Sequence, residues 1–196
     1  DGRFYKAELY YKKYDRLALV EKGTVDAAEV LTSGGYGYSK GFDLFFNDRV
    51  LLKNLEYQLS YTYNIAKRKF QEYTELTTPQ YATRHNASLV LKYSIPRIGT
   101  IVGLTNRFSS GRPYHNPDLP GLMNDHVKPY NSLDLGLTFL PSKKVIIHAS
   151  ATNILCRKNE FGRVNNKAIL ASNDHFFYIG VFITLGKKAV YDVSNF

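Results

Sequence analysis

Apolar and polar residues alternate without interruption along residues 55–64 of this chain. The odd positions are leucine or tyrosine, and the even positions are all polar. Because successive side chains of a strand point to opposite faces, this pattern predicts a strand with one apolar and one polar face. Its length suits a tilted strand that crosses a bilayer, which needs about 9–11 residues. On this segment alone, a transmembrane strand and a long strand of a soluble β-sandwich both remain open.

The same alternation recurs along the rest of the chain and predicts an all-β protein. No stretch has the periodicity of a helix or the length of an apolar membrane helix. The pattern slips near Asp15 and Arg16, which predicts a β-bulge within the first strand. The predicted strands, about eight in all, cover residues 4–20, 41–46, 55–64, 86–93, 100–109, 132–139, 145–152 and 177–185.

Short and long links alternate between these predicted strands. Bacterial outer-membrane barrels have tight periplasmic turns and longer extracellular loops, whereas Greek-key sandwiches do not sort their links by length. The link lengths therefore favour a transmembrane antiparallel β-barrel in the outer membrane. The short links are 48–53, 96–99 and 141–144, and the long ones are 22–34, 66–84, 110–128 and 156–174.

Charged residues on the predicted inner face carry both signs. In a small closed barrel they have to pair, but beside a wide wet channel they need no partners. The pattern therefore leaves open whether the strands close alone or belong to a larger barrel. These residues are Glu8, Lys12, Asp43, Glu56, Lys92, Arg107 and Asp134.

The formal charge of +9 and a mean hydropathy of -0.30 add little specificity. The basic residues are scattered and form no nucleic-acid motif, so we expect no nucleic-acid partner; a basic outer surface suits anionic lipid headgroups. Cys156 is the only cysteine, which excludes an internal disulfide. The histidines lack paired metal-ligand spacing, and no catalytic constellation stands out. We expect no enzyme activity, no metal and no cofactor.

Two groups of residues are candidate binding sites. In the link 109–128, Arg112, Tyr114, His115 and Asn116 can hydrogen-bond to or stack on a captured ligand, with Arg107 beside them in the lumen. The competing interpretation is that Arg112 only braces the loop. The second group lies just beyond the tyrosines of the strand at 55–64 and is expected to contact lipopolysaccharide phosphates. It consists of Lys67, Arg68 and Lys69, for which a solvated charge run is the alternative.

Several segments resemble TonB-dependent outer-membrane receptors of the Bacteroidota type, in the order in which that family carries them. Each motif is weak by itself, and the ordered combination is the more specific signal. They are Gly-Tyr-Gly-Tyr-Ser-Lys-Gly-Phe-Asp-Leu-Phe-Phe (35–46), Lys-Asn-Leu-Glu-Tyr-Gln-Leu-Ser-Tyr-Thr-Tyr (53–63), Thr-Arg-His-Asn-Ala-Ser-Leu-Val-Leu-Lys-Tyr (83–93), Ser-Gly-Arg-Pro-Tyr (110–114), Lys-Pro-Tyr-Asn-Ser-Leu-Asp-Leu (128–135), Ala-Thr-Asn-Ile-Leu (151–155) and Phe-Phe-Tyr-Ile-Gly-Val-Phe-Ile-Thr-Leu (176–185).

This resemblance implies that residues 1–186 form the C-terminal strands of a larger barrel of about 22 strands, followed by a tail at 187–196. It implies active import of a scarce nutrient such as a siderophore-iron complex, cobalamin, a glycan or a peptide. The implied partners are the plug and earlier strands, the TonB energy-coupling complex and a surface lipoprotein. The alternatives are a self-contained eight-stranded outer-membrane barrel with a structural or adhesion role, and a soluble lipocalin-like barrel.

Overall fold

The computed structural model describes residues 2–22, 29–164, 167–170 and 175–186; the tail expected at 187–196 lies outside them. Within these ranges, no helix is long and apolar enough to span a membrane, and the helical element is a single 3-10 turn at Pro96–Ile98. The strands are β1 (Arg3–Lys22), β2 (Glu29–Leu52), β3 (Leu55–Lys69), β4 (His85–Ile95), β5 (Thr100–Ser109), β6 (Pro113–Tyr114), β7 (Asp125–His126), β8 (Tyr130–Ser142), β9 (Val145–Thr152), β10 (Glu160–Val164), β11 (Lys167–Leu170) and β12 (Phe176–Ile183).

Eight strands form one antiparallel sheet in the order β1-β2-β3-β4-β5-β8-β9-β12, so each strand pairs with its neighbour along the chain. The remaining strands form two small hairpins, β6–β7 and β10–β11, inside the last two long links. This up-and-down order confirms the predicted all-β antiparallel sheet of about eight strands. Among the described residues β1 and β12 do not pair, so they are the two open edges of the sheet.

The register separates an apolar face from a polar face. Leu9 lies opposite Phe42, and Phe42 lies opposite Tyr63, so these apolar side chains share one face. One residue along, Asp43 lies opposite Thr62 on the polar face, and the Thr62 hydroxyl donates to the Asp43 carboxylate at 2.6 Å. The apolar face is uncovered, since Leu9 is 85% exposed. A soluble barrel would present polar residues there, so this face suits hydrocarbon instead.

Apolar-face side chains of different strands do not pack together into a shared interior. Ile179 is 76% exposed and Leu135 is 39% exposed. Tyr57 and Leu89 are partly exposed on the same face. The sheet therefore has no apolar core of its own on this side, as expected of a barrel wall whose outer face contacts lipid.

Strand β2 begins twelve residues earlier than the predicted strand, at Glu29 rather than at 41. The predicted long link 22–34 is therefore wrong in its second half, where residues 29–32 pair with the extended end of β1 and residues 33–34 lie within β2 at a register shift. Small polar and glycine residues at 32–35 suggested a loop. The ladder of β1 overrides that local preference. The predicted bulge is confirmed, because the register shifts between Tyr14 and Leu17 and Arg16 has a φ of 59°.

Glycine at position 41 is required by a close approach between β2 and its neighbours. A Cβ there would collide with the Tyr63 carbonyl oxygen and lie 2.8 Å from the Tyr10 hydroxyl. Tyr10 reaches across Gly41 to donate a hydrogen bond to Asn64 Oδ1 at 3.1 Å. The earlier glycines follow the same rule, since a Cβ at Gly37 would meet the Lys67 carbonyl oxygen at 2.5 Å. These contacts explain why glycine stands at positions 37 and 41 inside a long strand.

We predict that Gly41→Ala destabilises the folded sheet by about 1–3 kcal/mol, because the added methyl group overpacks a site without space. The measurement is the thermal unfolding midpoint of the protein in detergent, followed by heat-modifiable migration on gels. Gly103→Ala is the matched control, since the atom closest to a Cβ there is 3.9 Å away. Equal unfolding midpoints for the two variants would contradict the close approach.

Candidate functional site

The connection between β5 and β8, residues 110–129, forms a compact loop at the long-loop end of the sheet. Strands β6 and β7 pair within it, and the intervening turn is organised by Asn124. The Asn124 side chain accepts a hydrogen bond from the Asn116 backbone at 2.8 Å and donates to the Leu119 and Gly121 carbonyls at 2.7 and 3.0 Å. The turn of this loop is therefore held by its own polar side chains, while Pro113, Tyr114 and Val127 are buried at its base.

The Asp125 carboxylate connects several parts of this hairpin through hydrogen bonds. Its carboxylate accepts hydrogen bonds from the Tyr114 hydroxyl at 2.6 Å, the Asn116 amide at 3.0 Å and the His126 backbone at 2.7 Å. The Tyr114 hydrogen bond, followed by the Asn116 one, lowers the pKa of Asp125 to about 2. The same hydrogen bond is the largest cause that raises the pKa of Tyr114. Both groups are thus committed to holding the loop together.

A cleft of about 300 Å³ lies between this loop, the polar face of the sheet and the β9–β12 connection. Its wall includes the stacked rings of Tyr130 and Phe161, whose centroids are 5.8 Å apart. The guanidinium of Arg112 lies 5.4 Å from the Phe161 ring centroid. The cleft is lined by Thr83, Asn86, Arg107, Phe108, Ser109, Ser110, Arg112, Val127, Lys128, Tyr130, Glu160 and Phe161.

The lining of this cleft has an excess of positive charge. Glu160 is its one acidic residue, and Arg163 neutralises that carboxylate through hydrogen bonds of 3.1 and 3.0 Å. Arg112 and Lys128 form no ion pair with any residue in the described ranges. Two cations beside stacked aromatic rings can bind an anionic group by charge and a flat group by stacking.

A further cation of the cleft, Arg107, is held by the sheet itself. It forms an ion pair with Asp134 on the neighbouring strand, and Asp134 also accepts hydrogen bonds from the Ser132 hydroxyl at 2.8 Å and the Asn153 backbone at 2.8 Å. The Arg107 side chain is still 52% exposed. It can therefore donate to a bound group while its own position stays fixed.

The long connections contact one another through hydrogen bonds. Leu122 donates its backbone N–H to Glu75 Oε1 at 2.9 Å and accepts a hydrogen bond from the Thr77 hydroxyl at 3.2 Å, which joins the 110–129 loop to residues 70–84. Arg157 joins the β9–β12 connection to the 110–129 loop by donating to the Pro129 carbonyl at 2.9 Å, and Asn159 exchanges two 3.0 Å hydrogen bonds with the Asn131 backbone at the start of β8. The cleft is consequently framed by connections that support each other.

The structure brings two of the sequence-predicted ligand residues together and separates the others. Arg107 and Arg112 both line the cleft. Tyr114 is only 4% exposed, and Asn116 bonds to Asp125 and Asn124 within the loop, so both brace the hairpin. His115 is exposed and lies outside the lining of the cleft. Tyr114 pairs within β6, whereas His115 and Asn116 follow in the turn, so these consecutive residues have different surroundings.

The triplet expected to contact lipopolysaccharide does not share one face. Lys67 and Lys69 lie on the apolar-face side, whereas Arg68 lies on the polar face opposite Gly37. Its guanidinium is 4.2 Å from the Tyr14 ring centroid, and Nη1 donates to the Tyr81 hydroxyl at 2.6 Å. The expectation is therefore corrected for Arg68, which fastens the 70–84 loop above the polar face. The two-residue period of a strand makes three consecutive cations unable to face lipid together.

Sequence reasoning missed several residues of the cleft. Lys128 and Tyr130 stand in the resembling motif at 128–135, but nothing in the motif indicates that they face Arg112. Phe161 and Arg163 alternate on β10, a five-residue strand that is too short for its periodicity to stand out. Their roles depend on pairing between distant connections, for which the local pattern gives no signal.

No cluster of three or more histidine, cysteine, aspartate or glutamate side chains suited to a metal ion occurs in the described part of the chain. His85 shares a 2.8 Å hydrogen bond with the Tyr61 hydroxyl, and His148 shares one of 2.9 Å with the Thr138 hydroxyl. Cys156 is exposed at a turn with a φ of 49°. What the site offers is charge, hydrogen bonding and aromatic surface.

Solved structures with the same arrangement of strands are proteins of bacterial outer membranes. The outer membrane transporter YddB from Escherichia coli matches 93% of this chain with a TM-score of 0.69 at 12% identity. The siderophore receptor PiuA from Acinetobacter baumannii matches 92% with a TM-score of 0.69 at 15% identity. FpvA from P. aeruginosa, solved with bound pyoverdines, matches 92% with a TM-score of 0.70 at 14% identity. The chain therefore has the fold of part of an antiparallel outer-membrane β-barrel.

The match to these receptor barrels covers only part of each of them. The chain spans 30% of the length of YddB, 26% of PiuA and 24% of FpvA. At these identities the shared feature is the fold. No protein-family model matches the sequence, and no curated protein matches it closely enough to be reported as a relative.

We predict that the 113–126 hairpin loses stability as the pH falls from about 4 to about 2, because the pKa of Asp125 is lowered from 3.8 to about 2 in the folded loop. A lowered pKa gives stabilisation that is present above the ordinary value and disappears as the carboxylate is protonated. Pepsin cleavage of the loop across this pH range measures the effect.

Pepsin should cleave the loop of the Asp125→Asn variant faster than that of the wild type at pH 4. The variant should also lack the increase in cleavage rate that the wild type shows as the pH falls toward 2. Glu72→Gln, at an exposed carboxylate of the 70–84 loop, is the control and should retain the wild-type profile. Identical digestion profiles for wild type and Asp125→Asn would mean that this carboxylate does not hold the hairpin.

Proposed function

We propose that this chain forms part of the barrel wall of a TonB-dependent outer-membrane receptor that imports a scarce nutrient. The observation that carries the proposal is the match of its eight-stranded sheet to outer-membrane receptor and transporter barrels over 92–93% of the chain. The ordered motifs at 35–46, 83–93 and 176–185 support a receptor of the Bacteroidota type and a place among the C-terminal strands.

The open edges of the sheet support membership of a larger barrel. Backbone groups at the edge of a sheet have no partners in hydrocarbon, so membrane-spanning sheets close on themselves. The described parts of β1 and β12 are unpaired with each other, which favours further strands between them over the alternative of a self-contained eight-stranded barrel. Refolding the chain alone in detergent separates these architectures: a heat-modifiable monomer favours the small barrel with a structural or adhesion role.

The proposed classes of cargo follow from the matched receptors and from the chemistry of the cleft. Siderophore-iron complexes are the first class to test, because PiuA is a siderophore receptor and FpvA was solved with pyoverdines. Cobalamin, glycans and peptides are the further candidates. The cleft beside Arg112, Lys128 and Phe161 suits an anionic portion of the cargo that carries a flat group.

Transport of this kind needs no covalent chemistry on the cargo, so the chain has no catalytic role in the proposal. The driving force would come from the TonB energy-coupling complex acting through a plug, and a surface lipoprotein can cover the long-loop end. Outer-membrane lipid and lipopolysaccharide surround the wall. The strands supply a rigid frame, and the connections supply the ligand contacts.

We predict that deletion of the coupling protein reduces cellular accumulation of the cargo to background while surface binding remains. The reason is that capture needs only the loops, whereas passage needs energy. The measurement is time-resolved uptake of labelled ferric siderophores, cobalamin, glycans and peptides by cells that carry the full-length receptor. Diffusion of a small solute through general porins is the control and should not change. Undiminished uptake without the coupling protein would exclude this mechanism.

We predict that Arg112→Ala combined with Lys128→Ala weakens binding of an anionic cargo about 10- to 100-fold, as expected from the loss of hydrogen bonds from charged donors. Equilibrium titration of the detergent-solubilised receptor gives the dissociation constant. Lys167→Ala removes an exposed charge from the β9–β12 connection, outside the cleft, and is the control. Unchanged affinity for every anionic cargo would place the capture site elsewhere.

A further inference from the structure

Four lysines lie together on the outside of the sheet, at the long-loop end of β1, β2 and β3. We call Lys13, Lys40, Lys67 and Lys69 the lysine patch. Lys13 lies opposite Tyr38, which in turn lies opposite Lys67, so these side chains occupy one row across three strands. The adjacent rows hold Lys40 and Lys69.

The register places all four on the apolar-face side, the side of Leu9 and Tyr63. Tyr11 and Tyr38 stack between the lysines with ring centroids 6.4 Å apart, and the Lys40 ammonium lies 5.9 Å from the Tyr38 ring centroid. Amphipathic tyrosines with neighbouring cations are typical of the boundary between hydrocarbon and headgroups.

The height of the patch matches the outer boundary of the membrane. Along β3 the side chains facing outward are apolar or tyrosine from Leu55 to Ile65, and the next outward residue is Lys67. A strand rises about 3.3 Å per residue, counting inward and outward residues alike. From Leu55 to Ile65, along a strand tilted by about 45°, this gives an apolar height of about 23 Å. Outer-membrane barrels have an apolar band of about 25 Å. Lys67 and Lys69 therefore lie beyond the upper end of the apolar band, and Lys40, opposite Ile65, lies at that end.

The patch is local rather than a general feature of the outer surface. The outward positions of β4, β5, β8, β9 and β12 include no lysine, arginine, aspartate or glutamate within the described residues. The acidic neighbour of the patch is Asp15, which lies 3.2 Å from Lys13. The cations next in sequence, Lys12 and Arg68, lie on the polar face. A solvated surface would have no reason to collect four cations in three adjacent rows at one end of three neighbouring strands.

We propose that the lysine patch binds the phosphate groups of lipopolysaccharide in the outer leaflet. Long loops of outer-membrane barrels are extracellular, which puts the patch at the level of the lipid A phosphates. Ammonium groups bind phosphates as point charges, and the tyrosine rings can pack against the sugar rings and upper acyl chains. The proposal rests on the outer-membrane placement and is independent of the cargo.

The test uses the full-length protein in detergent, titrated with bisphosphorylated lipid A, with dephosphorylated lipid A and with phosphatidylglycerol micelles. Substitution of all four patch lysines by serine should weaken binding of bisphosphorylated lipid A by more than about 10-fold, since each cation near an anionic lipid surface adds to the attraction. Wild-type protein should bind the dephosphorylated form and phosphatidylglycerol much more weakly.

The matched control replaces four lysines elsewhere by serine and should bind bisphosphorylated lipid A like the wild type. Heat-modifiable migration identifies folded protein in every preparation, and the lipid comparison on wild-type protein needs no variant. Equal affinity of the patch variant and the wild type, or equal wild-type affinity for all three lipids, would overturn the proposal. Cargo uptake measured on the same variants tests the receptor function separately. A failure of lipid A binding can therefore be distinguished from a failure of cargo import. The control lysines are Lys12, Lys53, Lys143 and Lys144.

Discussion

Continuous backbone pairing between long strands is the constraint on which the rest of this structure depends. A bilayer offers no water to unpaired N–H and C=O groups, so each strand that crosses it must be hydrogen-bonded along its length. Continuous pairing fixes the register, and the register fixes which face every side chain occupies. Leu9, Phe42 and Tyr63 share the apolar face for this reason, and Asp43 and Thr62 share the polar one.

The sequence alone predicts those features of the fold that depend on the two-residue period of a strand. The strand at 55–64, the bulge near Arg16 and the alternation of short and long links all follow from local pattern, and each has a counterpart in the structure. Features set by distant partners do not follow. The start of β2 at Glu29 depends on pairing with β1, and the cleft depends on Phe161 meeting Arg112 from another connection. Local propensity gives no measure of either contact.

Charged residues on the polar face select the strand register more than they stabilise the fold. Glu56 lies 3.9 Å from Lys92, and Arg107 pairs with Asp134 across adjacent strands. These side chains are partly exposed, and such ion pairs contribute little free energy on average. A shifted register would place like charges or apolar residues opposite them, so their main effect is to disfavour the wrong pairing. The same arrangement keeps Arg107 oriented toward the cleft.

The separation of faces also explains how one basic chain can meet two kinds of anion. Lys67 and Lys69 lie on the outer side of β3, and Arg68 between them lies on the polar face. A one-residue offset thus assigns neighbouring cations to opposite sides of the sheet, the lysines to the apolar-face side and Arg68 to the side of the 70–84 loop. Arg112 and Lys128 belong to the inner set with the cleft. Because the sheet stands between the two sets, a lipid phosphate and an anionic cargo group do not compete for the same side chains.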